Sequence, residues 1–256
     1  MKKRYFITSG IIAYLVFLII SVPAAPVLSQ IQRYLPEVSI QGISGSLWNG
    51  RAATITFNRQ QTLNNTDWQF NGWRLFTGKI SAHINTHYQQ QAVNGDFDIR
   101  PSGEITARNV SANMEAATLA QLARIPLAEL GGNVSLKIDQ FEWQQGQVPH
   151  AIGRLLWNNA AVTVSETARL GDIAIALTED KKSPLHASIV NRGGEIKLEG
   201  EADVSEDGTY SLKLNMLPNE SASSNVRSSL GMIAKPRPNG SYQLNDNGNL
   251  KSFGLI

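Results

Sequence analysis

The sequence predicts a mainly β protein, with an N-terminal transmembrane helix followed by an antiparallel meander or curled sheet and a few short helices. Three observations carry that prediction. The eighteen residues from Tyr5 to Val22 bear no charge. Beyond Pro36 the dominant hydrophobic period is two rather than about 3.6. The runs with that period do not alternate with helices, as a βαβ fold would require.

As a helix, the uncharged run would span about 27 Å at about 1.5 Å per residue, close to the roughly 30 Å hydrocarbon core of a bilayer. Lys2, Lys3 and Arg4 precede it, and the positive-inside bias holds residues 1–4 in the cytoplasm and delivers the rest of the chain to the other side. A cleavable signal peptide is the competing reading, because Val22-Pro23-Ala24 sets small or apolar residues where a cut would fall. Against it, the run exceeds the apolar region of about 7–15 residues found in signal peptides, and Pro26 would directly follow the alternative cut behind Ala25. An uncleaved anchor over residues 5–22 is therefore predicted. In residues 23–36, Val27, Leu28, Ile31, Tyr34 and Leu35 recur at helical spacing, as in an amphipathic segment that lies near the membrane or caps the domain. Residues 37–256 form the β-rich domain.

There the strands are written as alternation. Ile80, Ala82, Ile84, Thr86 and Tyr88 share one face; Ile196, Leu198, Gly200, Ala202 and Val204 share another, against Glu195, Lys197, Glu199, Glu201 and Asp203. Similar runs occur at Ala53–Phe57, Val134–Ile138, Ala161–Val164, Ile173–Leu177, His186–Val190 and Thr209–Met216. Asp207-Gly208 and Asn239-Gly240 are hairpin turns, since these pairs accept the positive φ that tight turns need. The helical candidates are Glu115 to Ile125, ending before Pro126, and Ser221 to Ile233.

Composition narrows the chemistry. Lys and Arg number 23 against 21 Asp and Glu, and the only basic run is at the N-terminus, so nothing points to nucleic acid. Cysteine is absent, which removes thiol nucleophiles, disulfides, Cys-ligated zinc and iron–sulfur clusters together. His83 and His87 have the spacing of a helical zinc pair. Their surroundings alternate as a strand, however, which would hold the rings about 13 Å apart. Gly42-Ile43-Ser44-Gly45 lacks the spacing of a nucleophile elbow and reads as a turn. Leu244 to Gly248 resembles the start of a calcium loop without its closing acid, and reads as a hairpin turn. No nucleophile, base or metal set can be assembled, so no catalytic residue, cofactor site or metal site is predicted, and a periplasmic hydrolase is disfavoured.

The tryptophans Trp48, Trp68, Trp73, Trp143 and Trp157 are the remaining conspicuous group. They are read as core or rim residues that plug sheet ends, with the alternative that some line an apolar face for a partner segment or an acyl chain. Trp48 and Trp157 stand in similar phrases, GSLWNG and GRLLWNN, each expected at the start of a strand.

Several longer phrases resemble one family. GISGSLWNGRA, TDWQFNGWRLFTGKISAHI, GQVPHAIGRLLWNNA, NRGGEIKLEGEADVSEDGTYSLKL and GMIAKPRPNGSYQLNDNGNL, behind the basic N-terminus and single anchor, are similar to type II secretion system protein N of the general secretion pathway of Gram-negative bacteria. The resemblance implies a single-pass inner-membrane protein with a cytoplasmic N-terminus. Its periplasmic part would be an elongated, curved antiparallel sheet, broadly AsmA-like. It further implies a non-enzymatic accessory role in exporting folded proteins across the outer membrane, in contact with other secretion subunits. An AsmA-like groove that holds or transfers lipid is the alternative. The family brings no catalytic residues.

Overall fold

The structure, a computed structural model, describes residues 10, 14, 17–18, 21–58, 61–122, 129–163, 166–180 and 183–253. It is predominantly antiparallel sheet with a few short helices. Among the described residues no helix is long and apolar enough to cross a membrane. Most of the predicted anchor, Tyr5–Val22, lies outside them. The chain forms two compact units, Met1–Pro101 and Ser102–Ile256.

In the first unit, helix α1 (Ala24–Tyr34) follows Pro23, whose extended backbone begins the helix without a side-chain cap. Its amphipathic pattern acts as a cap. Ala24 is fully buried, Leu28 packs on the same cluster, and Ile31 and Tyr34 stay exposed. Strand β1 (Val38–Gln41) and β2 (Ser44–Gly45) run along one edge of β3 (Asn49–Phe57), interrupted at Gly42, whose φ of 66° belongs to the left-handed region. The other side of β3 pairs with β4 (Gln61–Phe70), which pairs with β5 (Ile80–Tyr88), which pairs with β6 (Gln91–Ile99). The core is Ala24, Ala52 and Trp68, with Leu28, Ile40, Ile43, Ile55, Phe70 and Ile84 packed around it.

One face expected from alternation is only partly inside. Ile84 packs on the core and Thr86 is buried, but Ile80 is half exposed while Ser81, of opposite parity, is buried. The cause is a 3-10 segment, Gly72–Thr77, between β4 and β5, whose Arg74 is ion-paired to Asp98, the register partner of Ser81.

The second unit is a meander. β7 (Ile105–Glu115), β8 (Glu129–Trp143), β9 (His150–Thr163), β10 (Thr167–Asp180), β11 (Ser183–Arg192), β12 (Ile196–Val204) and β13 (Thr209–Pro218) pair in sequence order. β15 (Tyr242–Asn249) pairs with β13, and the two-residue β14 (Lys235–Pro236) with β15. Helix α2 (Ala116–Leu122) ends at the described residues, so the predicted helix end at Ile125 lies outside them. Helix α3 (Ser224–Ile233) begins where predicted within a few residues. Ser223 is its N-cap, its side chain accepting the Val226 N–H at 3.2 Å. Val226 and Leu230 of α3 pack with Ile196, Met216, Ala222 and Ala234 in the second core.

Two expectations are corrected. Val134–Ile138 and Ala161–Thr163 are pieces of longer strands of 15 and 14 residues, and Val164 lies outside the described residues. Register shifts at Gly131/Asn133 and Ile138/Gln140 explain the difference. Each bulge inserts a residue and reverses the phase of alternation, so the strand does not read as one pattern. Leu244 to Gly248 is no turn but the middle of β15, where Gly248 lies under the ring of Tyr210, its register partner.

Candidate functional site

Each tryptophan is positioned by a local backbone device. Trp68, on β4, faces the first core at 7% exposure, and its Nε1 donates to the Leu47 carbonyl at 3.0 Å. The ring crosses Gly50, its register partner on β3. Trp48 occupies the tight link between β2 and β3, where Ser46 N–H donates to the Asn49 carbonyl at 2.9 Å. It is half-buried, and its ring lies against Gly72: a β-carbon there would come within 3.0 Å of Trp48 Cζ3.

Trp73 is different. It is 82% exposed, on the 3-10 segment that follows Gly72. The backbone beneath it is well tied. Gly78, at φ 71°, closes the segment by donating to Leu75; Lys79 N–H and Thr77 Oγ1 both donate to the Arg74 carbonyl, at 3.1 and 2.7 Å. Arg74 Nη1 reaches the two oxygens of the buried Asp98 at 2.8 and 3.1 Å. A charge-assisted contact of this kind holds its segment firmly. The fixed segment displays Trp73, Leu75 and Phe76, with the Trp73 and Phe76 ring centroids 5.8 Å apart. Sequence reasoning named Trp73 but missed Phe76. The signal was the pair of turn-formers, Asn71-Gly72 and Thr77-Gly78, bracketing four residues of which three are large and apolar.

In the second unit, Trp143 ends β8 half-buried, opposite Ile105. Trp157 sits in the middle of β9, and its Nε1 donates to the Gly131 carbonyl at 2.7 Å. Gly132, at φ 95°, makes that approach: a β-carbon would stand 2.4 Å from the Asn158 carbonyl oxygen. The two similar phrases therefore do not fold alike. Trp48 is in a turn and Trp157 in a strand interior; the hydrogen-bonding counterpart of Trp157 is Trp68.

An apolar cavity of about 220 Å³ lies beneath α3, lined by Leu170, Ile196, Leu198, Met216, Leu230 and Ile233 among others. Its polar edge is Glu166, which accepts a hydrogen bond from Ser223 Oγ at 3.0 Å.

Three histidines face carboxylates on adjacent strands. His83 and His186 each place Nδ1 2.7 Å from their register partners Asp96 and Asp203, and His150 Nδ1 is 3.6 Å from Glu179. A carboxylate orients an imidazole in this way in catalytic triads. Here the pairs stand across neighbouring strands with both members partly exposed. His83 and His87 lie on the same strand as predicted, and among the described residues no three His, Asp or Glu side chains are grouped to hold a metal ion. Two groups at the β12–β13 hairpin, Asp207 and Tyr210, are displaced from their ordinary titration ranges. Hydrogen bonds from the Thr209 amide and hydroxyl hold the Asp207 carboxyl below its usual range, and the bond from Tyr210 to Asp246 raises the phenol.

A model of the family described as type II secretion system (T2SS), protein N, matches residues 36–245. Type II secretion system protein N of Aeromonas hydrophila is 25% identical to the chain over 259 residues, covering 98% of this chain and 100% of that protein. No solved structure matches this chain significantly.

Proposed function

The chain belongs to the type II secretion system protein N family, and we propose that it serves there as a non-enzymatic accessory subunit of the apparatus that exports folded proteins from the periplasm across the outer membrane. The single observation that carries this reading is the extent of the family match, which runs through both units. The non-enzymatic part of the reading rests on membership of a secretion-system family. Contact with other subunits is then its work.

The sheet supplies a place for such contact. β14 covers β15 only at Tyr242 and Gln243, so from Leu244 to Asn249 β15 has a described partner on one side alone, β13. Unpaired main-chain groups on an edge strand accept an added strand. Residues 1–4 would be cytoplasmic, 5–22 would cross the inner membrane, 23–36 would lie beside it, and 37–256 would be periplasmic, a topology supported by Lys2, Lys3 and Arg4 before eighteen uncharged residues. The lipid-groove alternative gains little from the cavity beneath α3, whose volume of about 220 Å³ is below the roughly 300 Å³ at which small-molecule pockets begin.

The test is photocrosslinking in secreting cells from a residue introduced at Asn245 or Asn247. Capture of another subunit of the secretion system is the expected result. Secretion that is unchanged when the chain is deleted would overturn the reading.

A further inference from the structure

We propose that the 3-10 segment Gly72–Thr77 is a second membrane contact, an aromatic foot that rests in the interface of the same bilayer that receives residues 5–22; the inference rests on the reading of those residues as the anchor. A continuous set of contacts links the two. Where the apolar run ends, the Val22 carbonyl accepts the Leu47 N–H at 2.8 Å, and Pro23 bridges to Ser46. The next residue of that link, Trp48, lies against Gly72, and its carbonyl accepts the Phe70 N–H at 2.6 Å. Gly72 opens the exposed segment. The segment and the exit of the apolar run are thus at one end of the first unit, the end where β3 begins and β4 finishes.

The side chains suit that placement. Trp73 and Phe76 are 82% and 85% exposed, and Leu75 adds 48%. Aromatic rings, tryptophan above all, concentrate where acyl chains meet headgroups. Lys79, one residue beyond the Gly78 cap of the segment's last turn, supplies a cation suited to anionic headgroups. The ion pair of Arg74 with Asp98 fixes the segment beforehand, so little ordering is left to occur at the surface. The opposite end of β3 is about 27 Å away at about 3.4 Å per residue, and Gln61, the register partner of Phe57, marks it.

The chain has no cysteine, so single labels can be introduced without background. The full chain carrying a nitroxide at Leu75→Cys, Gln61→Cys or Ala13→Cys is reconstituted in phosphatidylethanolamine–phosphatidylglycerol vesicles, and collision with oxygen is compared with collision with a water-soluble nickel chelate. The Leu75 label should favour oxygen several-fold over the Gln61 label, and Trp73→Ser with Phe76→Ser should abolish the difference. A Leu75 label as accessible to nickel as the Gln61 label, beside an Ala13 label shielded in hydrocarbon, overturns the foot and leaves the anchor standing. An Ala13 label exposed to water overturns the anchor, and the foot falls with it.

Discussion

Trp68 and Gly50 face each other across β3 and β4 so closely that a β-carbon on residue 50 would stand 2.3 Å from Cζ2 of the indole. The missing side chain is thus what lets the ring reach over the neighbouring strand to the Leu47 carbonyl. Gly50→Ala should destabilise the first unit by about 1–3 kcal/mol through overpacking, and Trp68→Ala by about 3–5 kcal/mol through the cavity it leaves. Native-state hydrogen exchange on the amides of β3 and β4 reads both, since it reports the stability of a unit separately. Unchanged protection in Gly50→Ala would contradict the packing described.

Trp157→Phe tests a hydrogen bond with most of the ring retained. The change removes the donor that satisfies the Gly131 carbonyl and should cost about 1–3 kcal/mol. Gly132→Ala should cost at least as much, because φ 95° and the Asn158 carbonyl both oppose a β-carbon. Chemical denaturation followed on β8 and β9 amides would show the two effects.

Asn191 joins three strands. Its Nδ2 donates to the carbonyls of Leu170 and Ile196, each at 2.6 Å, and its Oδ1 accepts the Leu198 N–H at 2.7 Å. Asn191→Ala leaves these partly buried groups without that side chain and should cost about 2–4 kcal/mol. Asn191→Asp should also destabilise, because an ionised carboxylate cannot donate to the two carbonyls. Faster exchange of the Leu198 amide is the diagnostic sign.

Asp207 makes the hairpin between β12 and β13 sensitive to acid. Its carboxylate accepts from the Thr209 amide at 2.9 Å and hydroxyl at 3.0 Å, which holds its pKa below the ordinary aspartate value. A depressed folded pKa means that the contribution is present above the unfolded value and is lost as pH falls through the folded one. The Thr209 amide proton should therefore titrate with a midpoint below the ordinary aspartate range in NMR spectra, and Asp207→Asn should remove that titration.

Much of the sheet was legible because β12 is a surface strand with one face packed: Ile196 and Leu198 turn inward while Lys197 and Glu199 turn out. The glycines at 208 and 240 read correctly as well, both at positive φ. β4, β6 and β7 escaped notice. Asn64, Asn65, Asn94 and Asn109 lie within them, and two of these, Asn65 and Asn109, carry positive φ. Asparagine tolerates that conformation but also marks turns, so a bulge inside a strand looks from the sequence like the end of one. The aromatic segment was half legible for a related reason. Trp73 stood out by type, whereas its exposure depends on Arg74 meeting Asp98, 24 residues away.

The strand order of the second unit lets folding keep pace with synthesis. From β8 to β13 every strand pairs with the one made just before it. A chain synthesised from N- to C-terminus can close each hairpin as it emerges, since no strand waits for a distant partner. The exception is the last joint, where β15 must bypass α3 and β14 to reach β13. The apolar residues of β12 and β13 stay uncovered until α3 arrives, so the interval between the exit of Pro218 and that of Ile233 is when a nascent chain most needs protection from aggregation.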